Sequence, residues 1–172
     1  MNSMNKIINE IKIALEPLKT ETPTSRQIAV VVKPEAIHNS LAYFRQKGFT
    51  QLSIVTCIDW IKESELELVY VLFSWTEGIH ILLRARIDRE KPVMVTSTDI
   101  FPGARYYERE VHEFFGVDFP GNEDAAKPLF LELWDDLPPL LKDFDPQAYS
   151  DSKFPMRERG NEFVSEIGGQ KK

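Results

Sequence analysis

The chain is short of the residues on which most catalytic and redox chemistry depends. It has one cysteine, Cys57. A lone thiol closes no internal disulfide, and it cannot build a four-thiolate iron–sulfur cluster or a cysteine-based zinc site. Its position in an alternating apolar stretch marks Cys57 as a small buried hydrophobe, and the lack of disulfides suits a reducing compartment. The three histidines, His38, His80 and His112, form no metal-spaced cluster. His80 and His112 read as hydrogen-bonded structural residues. No Gly-rich phosphate loop and no dinucleotide fingerprint is present. No apolar run approaches the roughly 18 residues of a membrane span. The N-terminal MNSMNKIINEIKI lacks the long apolar core of a signal peptide. Positive charge is also in deficit: 21 Lys and Arg face 27 Asp and Glu, for a net charge of −6. That balance argues against nucleic acid or an anionic membrane surface as the main partner.

What remains is an ordinary core. The 172 residues are 42% hydrophobic and 28% charged, which suits one globular domain with an appended tail. Ile7, Ile11, Ala14, Leu15 and Leu18 recur at helical spacing, so a helix is expected over about 4–18, limited by Pro17. Residues 20–25 read as a loop. Ile28 to Val32 is a short apolar strand, followed by a helix that carries Ile37, Leu41 and Phe44 and stops at Gly48. Three strands with period-2 alternation follow over 51–60, 65–75 and 79–87, with a tight turn at Thr76-Glu77-Gly78. The middle one is apolar on both faces toward its end, so it is expected to be central and covered on both sides. Tyr70, Phe73, Trp75 and Trp60 read as core. Pro102-Gly103 then opens a last helix. The expected fold is α+β, in the order α-β-α-β-β-β-α, with a mixed sheet of about four strands.

Beyond Val117 the composition changes. Pro120, Pro128, Pro138, Pro139, Pro146 and Pro155 are six of the chain's eleven prolines. Yet Phe119, Leu129, Phe130, Leu131, Leu133, Trp134, Leu137, Leu140, Leu141, Phe144 and Phe154 fall in the same stretch, and a disordered linker should be poor in such residues. An extended, Pro-broken apolar segment must bury those side chains against its own domain or along another protein. Docking in a partner's groove costs such a segment little entropy. The expected division is a domain over 1–117 and an extended docking tail over 118–172.

The remaining helix runs from Arg105 through Tyr106, Tyr107, Glu108, Arg109, Glu110, Val111, His112, Glu113, Phe114 and Phe115 to Gly116. Tyr107, Val111, Phe114 and Phe115 form an apolar stripe, with Glu108, Arg109, Glu110, His112 and Glu113 on the other face. Arg105 is spaced to reach Glu108, and Arg109 to reach Glu113. Gly116 is placed for a left-handed close. Glu110 and Glu113 are better explained as ion-pair partners than as an acid/base pair.

The order Tyr107-Glu108-Arg109-Glu110, then Glu113-Phe114-Phe115-Gly116, resembles the signature of the 30 kDa subunit family of respiratory complex I. That family also supplies a subunit to the related membrane-bound NiFe hydrogenases. The upstream Phe101-Pro102-Gly103-Ala104 and the downstream Gly116-Val117-Asp118-Phe119 fit the same pattern. So do Trp134 and Pro139-Leu140-Leu141-Lys142-Asp143-Phe144. Complex I members usually carry a basic run where this chain has Asn122-Glu123-Asp124-Ala125-Ala126-Lys127-Pro128, and Leu141 stands where Arg is usual. These departures favour a subunit of the ferredoxin-linked, hydrogenase-type complexes over the corresponding subunit of an NADH-quinone oxidoreductase.

The resemblance implies a non-catalytic peripheral-arm subunit on the cytoplasmic face of the membrane, binding no cofactor or metal itself. Iron–sulfur clusters, and a NiFe site where one is retained, would sit in its partners. Those partners are a large hydrogenase-like (49 kDa-type) subunit, a small iron–sulfur subunit and other arm and membrane subunits. Glu108, Arg109, Glu110, Glu113, Phe114, Phe115 and Gly116 would form the structural interface. Trp134, Pro139, Leu140, Lys142, Asp143 and Phe144 would form that of the tail. The rival class is a stand-alone small-molecule binding protein or enzyme using the sheet face, and a further rival is an adaptor with no redox link.

Overall fold

Alternation and turn chemistry set the frame. A computed structural model describes residues 3–154. Helix α1 spans Ser3–Leu15 and turns Ile11 into the core. It ends earlier than its periodicity suggests. Pro17 disfavours a helical residue before it, and Glu16 takes a positive φ of 44°. Strand β1, Lys19–Thr24, occupies the stretch expected to be a loop. It is polar and exposed, with no alternating apolar signal, and it pairs antiparallel to β2, Gln27–Val31. Pro23 is tolerated because β1 is an edge strand with an irregular register between Glu21 and Thr24.

A short 3-10 turn at Pro34–Ala36 leads into α2, Ile37–Gln46, which buries Ile37, Leu41 and Phe44. The meander follows as β3, Gln51–Trp60, β4, Glu65–Ser74, and β5, Ile79–Asp88. Helix α3 covers Ala104–Phe115. A fourth helix, α4, Pro146–Lys153, lies within the tail, which is therefore not extended throughout. Asp145 caps it by accepting from the Gln147 and Ala148 N–H groups, with Pro146 in the first turn.

The sheet has five strands in the order β1-β2-β5-β4-β3, one more than expected because of β1. Strand β2 runs parallel to β5, and the other pairings are antiparallel. Register puts Val30, Leu83, Tyr70 and Val55 on one rung, facing the core with Ile28, Ile81, Leu72 and Leu68. Ile11, Ile37, Leu41, Phe44, Phe101 and Val111 join the same cluster, so the helices cover this face. Cys57 is buried there, and burial, reinforced by Asp59, pushes its thiol up to about 12.

The opposite face contributes nothing to that cluster. Strand β4 lies between β5 and β3, and the expectation that it is covered on both sides holds for its middle, where Glu67 and Val69 on the second face are buried, but not toward its end, where Val71 and Phe73 are half-buried. On that second face Trp60 Nε1 donates to Glu67 at 3.0 Å, and the Arg86 guanidinium stacks over the Trp60 ring at 4.8 Å. Trp60 and Phe73 are only half-buried and Trp75 is 75% exposed, so of the aromatics read as core only Tyr70 is fully buried.

Candidate functional site

Helix α3 lies against β3, where the Tyr107 hydroxyl donates to the Ser53 carbonyl at 2.8 Å and Val111 is buried. Gly116 closes the helix with φ 77°, and its N–H donates to the His112 carbonyl. A Cβ on Gly116 would lie 3.2 Å from Pro138 Cγ, because the tail crosses the helix end there. Replacing Gly116 by Ala therefore imposes a left-handed backbone on an L side chain and crowds the tail. The expected cost is about 1–2 kcal/mol in urea denaturation.

The charges of α3 do not form a solvated face. Glu108 is fully buried, which corrects its placement among the exposed charges. Its Oε1 accepts from the Ser97 N–H and hydroxyl, both at 2.8 Å. Its Oε2 accepts from the Thr96 hydroxyl at 2.7 Å and the Asn122 amide at 2.9 Å. One carboxylate thus ties α3 to the 96–98 loop and to the first turn of the tail. The Tyr70 hydroxyl is buried with no hydrogen-bond partner, and burial, reinforced by the Glu108 charge, pushes its pKa up.

The expected Arg105–Glu108 and Arg109–Glu113 pairs do not form. Arg105 and Lys127 both pair with the buried Asp124. Arg109 donates to the Lys127 carbonyl at 3.2 Å and the Pro128 carbonyl at 2.7 Å. Glu113 accepts from the N–H groups of Leu129, Phe130 and Leu131 at 3.0, 3.0 and 2.6 Å. The signature Arg and Glu therefore grip the tail's main chain by its carbonyls and its N–H groups. Glu110 is exposed, and Phe114 and Phe115 are half-buried at the helix end.

Further along, the Leu140 N–H donates to the Phe114 carbonyl at 3.1 Å. The Lys142 N–H donates to Asp59 Oδ2 at 2.8 Å. Arg89 bridges, with Nε and Nη2 on Asp59 at 2.8 and 3.0 Å and Nη2 on Asp143 at 2.7 Å. Trp134 stacks on Tyr149 with centroids 4.5 Å apart and meets Phe144 at 5.4 Å, while its indole N–H donates to the Leu137 carbonyl at 2.9 Å. Pro139 is half-buried. The tail residues singled out from the sequence thus hold the tail in shape and to its own domain.

This latch depends on pH. Burial pushes Asp59 upward, but hydrogen bonds from Arg89 and the Lys142 N–H, with the Arg89 charge, outweigh it and hold the carboxyl below its usual value. The hydrogen bond from Arg89 does the same to Asp143. A depressed folded-state pKa stabilises at pH above the unfolded value of about 4, and the stabilisation is lost as pH falls through the folded value. Protease cleavage near Asp143 is expected to stay constant from neutral pH down to about 5 and to rise below about 4, read with an acid-active protease.

His38 pairs with Asp99 at 2.9 Å, His112 Nδ1 meets the Val117 carbonyl at 2.9 Å, and His80 packs on Phe73. Among the described residues, no three His, Cys, Asp or Glu converge as metal ligands. No helix of the described residues is long and apolar enough to cross a membrane. A groove of about 310 Å³ lies between α1 and α2, with Lys6, Glu10, Tyr43 and Lys47 among its lining. It lies apart from α3 and the tail.

Comparison with known proteins bears on the same residues. The family model for the respiratory-chain NADH dehydrogenase 30 kDa subunit matches residues 30–150. An NADH-quinone oxidoreductase subunit of Roseiflexus sp. (strain RS-1) is 32% identical over 120 residues, covering 67% of this chain and 68% of that protein. An F(420)H(2) dehydrogenase subunit of Methanosarcina mazei is 34% identical over 100 residues, covering 56% of this chain and 61% of that one. Among solved structures, a chain of the membrane-bound sulfane sulfur reductase, an archaeal respiratory membrane complex, superimposes with a TM-score of 0.82. It is 35% identical, with 91% of this chain and 94% of that chain covered.

Proposed function

We propose, from the premise that this chain belongs to the 30 kDa subunit family of the respiratory-chain NADH dehydrogenase, that it is a peripheral, non-catalytic subunit of a membrane-bound, ion-translocating oxidoreductase. Its neighbour is a NiFe-hydrogenase-like large subunit, with a small iron–sulfur subunit and other arm and membrane subunits beyond. The chain sits on the cytoplasmic face and is held there through the complex. Iron–sulfur clusters, and NiFe where retained, belong to the partners. The observation that carries this reading is the likeness along nearly the whole of both chains to a chain of the archaeal sulfane sulfur reductase. With the departures at 122–128 and at Leu141, our reading is a ferredoxin-linked, hydrogenase-type complex. The match to the NADH-quinone oxidoreductase subunit of Roseiflexus keeps a complex I assembly as the second reading.

Within the assembly, residues 1–117 act as the domain and 118–172 as the docking tail, of which 155–172 lies outside the described residues. Glu108, Arg109 and Glu113 fix the signature helix to the tail, as their hydrogen bonds support. Glu110, Phe114, Phe115 and Gly116 complete that surface. Trp134, Pro139, Leu140, Lys142, Asp143 and Phe144 set the tail for its partner.

Cross-linking mass spectrometry on the detergent-solubilised assembly, with metal analysis, tests this. Links from Lys127 and Lys142 to a hydrogenase-like large subunit are expected. Nickel would identify a hydrogenase-type complex, and its absence a quinone- or sulfur-linked relative. Links confined to this chain would overturn the placement. Trp134→Ala is expected to weaken co-purification of the large subunit; unchanged recovery would count against the tail's role.

A further inference from the structure

Between Pro128 and Leu141 the tail is held to its domain chiefly through its main chain, with Leu141 packed against the core and the Phe130 ring 6.2 Å from that of Phe114. Its main chain is held by Glu113, the Phe114 carbonyl and Asp59. Outward it presents Phe130, Leu137 and Leu140, exposed by 70, 46 and 54%, and Leu133, exposed by 96%. Scattered exposed apolar residues are normal, but a row on one held segment marks an interaction surface.

Leu133 is the sharpest case. It takes a positive φ of 61°, a conformation that residues other than Gly, Asn and Asp seldom adopt. The turn is tied by the Trp134 N–H to the Leu131 carbonyl, and Trp134 is anchored by Tyr149 and Phe144. The fold thus sustains backbone strain while holding a large apolar side chain out in water. Strain of this kind points to a function at the residue that carries it.

Charge identifies the partner's chemistry. Between Pro128 and Leu141 the sequence carries Glu132, Asp135 and Asp136 and no Lys or Arg. Lys153 pairs with Asp135 from outside the segment. The surface is therefore apolar knobs set among carboxylates. A second copy would bring a second acidic segment and a net charge of −6 against it, so self-association is disfavoured.

We propose that residues 128–141 form a preformed strap whose Leu133 tip, with Phe130, Leu137 and Leu140, seats in an apolar groove rimmed by Lys and Arg on another subunit. This rests on the reading of the chain as a subunit, and adds which side chains engage and what receives them. The strap's prolines and the Trp134 stack lower the entropy lost on docking. The rim charges set recognition and salt dependence, and the central apolar knobs set retention.

The test uses the full chain in its native membranes. A photo-cross-linking amino acid at position 133 is expected to trap a peptide of another subunit that carries Lys or Arg beside apolar residues. Leu133→Asp with Leu137→Asp is expected to lower the chain retained in the solubilised assembly about tenfold or more. Glu132→Lys should give a smaller loss. Circular dichroism melting of the purified double variant should match the unaltered chain, since neither side chain is in the core. Cross-links only to this chain or to a second copy would overturn the strap, as would full retention of the double variant in an intact assembly. If the unaltered chain is itself absent from any assembly, the subunit reading fails, and the strap with it.

Discussion

Glu108→Ala is expected to destabilise the domain by about 3–5 kcal/mol and to lower its melting temperature by roughly 10 °C or more. The side chain is fully buried, and both its oxygens are used. Its removal strands the buried Ser97 N–H and hydroxyl and takes one partner from each of the half-buried Thr96 hydroxyl and Asn122 amide. Each stranded buried donor costs about 1–3 kcal/mol before any relaxation, and the cavity adds to it. Glu108→Gln keeps the volume and one acceptor, so it should fall between, at roughly 1–3 kcal/mol. Urea denaturation of the purified chain checks both. A loss below about 1 kcal/mol for the alanine variant would mean that the carboxylate is not the clamp its contacts describe.

Arg89→Ala is the second large effect. Asp59 is buried at the end of β3 and receives two hydrogen bonds from Arg89 and one from the Lys142 N–H. Removing the guanidinium leaves a buried carboxylate with a single donor, at an expected cost of about 3–5 kcal/mol. Asp143 loses its partner in the same step, so the segment around 139–145 should become protease-sensitive at neutral pH. The double variant Arg89→Ala with Asp59→Ala should cost less than the two single losses added, because the second change removes the stranded charge. Strict additivity in denaturation would show that the two residues do not act as a pair.

The sheet's centre is legible in the sequence because its signal is the simplest one. Strand β5 alternates throughout and β3 from Val55 on, and β4 adds Leu66, Leu68, Tyr70 and Leu72 to the same core face. Strand β1 is not legible: Lys19 to Thr24 is polar and contains a proline, and it is a strand because β2 offers it a free edge. The helix in the tail does leave a signal, the Asp145-Pro146 cap, but the surrounding prolines outweigh it in any reading by composition.

The family signature is recognisable by residue order, while its physics runs opposite to its charge pattern. Ala104, Glu108, Val111 and Phe115 recur at i, i+4, i+7 and i+11, so helical geometry alone puts Glu108 on the buried side. Treating every charge on the helix as solvated hides that. The roles of Arg109 and Glu113 are beyond sequence patterning, because their partners are main-chain groups 16 to 19 residues away. Spacing rules within a helix cannot see such partners.

The most direct test of the subunit reading is gentle detergent extraction of the native membranes, followed by sedimentation and mass spectrometry of the fraction that holds this chain. The expected result is co-sedimentation with iron–sulfur proteins, a hydrogenase-like large subunit and antiporter-like membrane subunits. Recovery of the chain alone, as a small soluble species, would contradict it and turn attention to the uncovered sheet face.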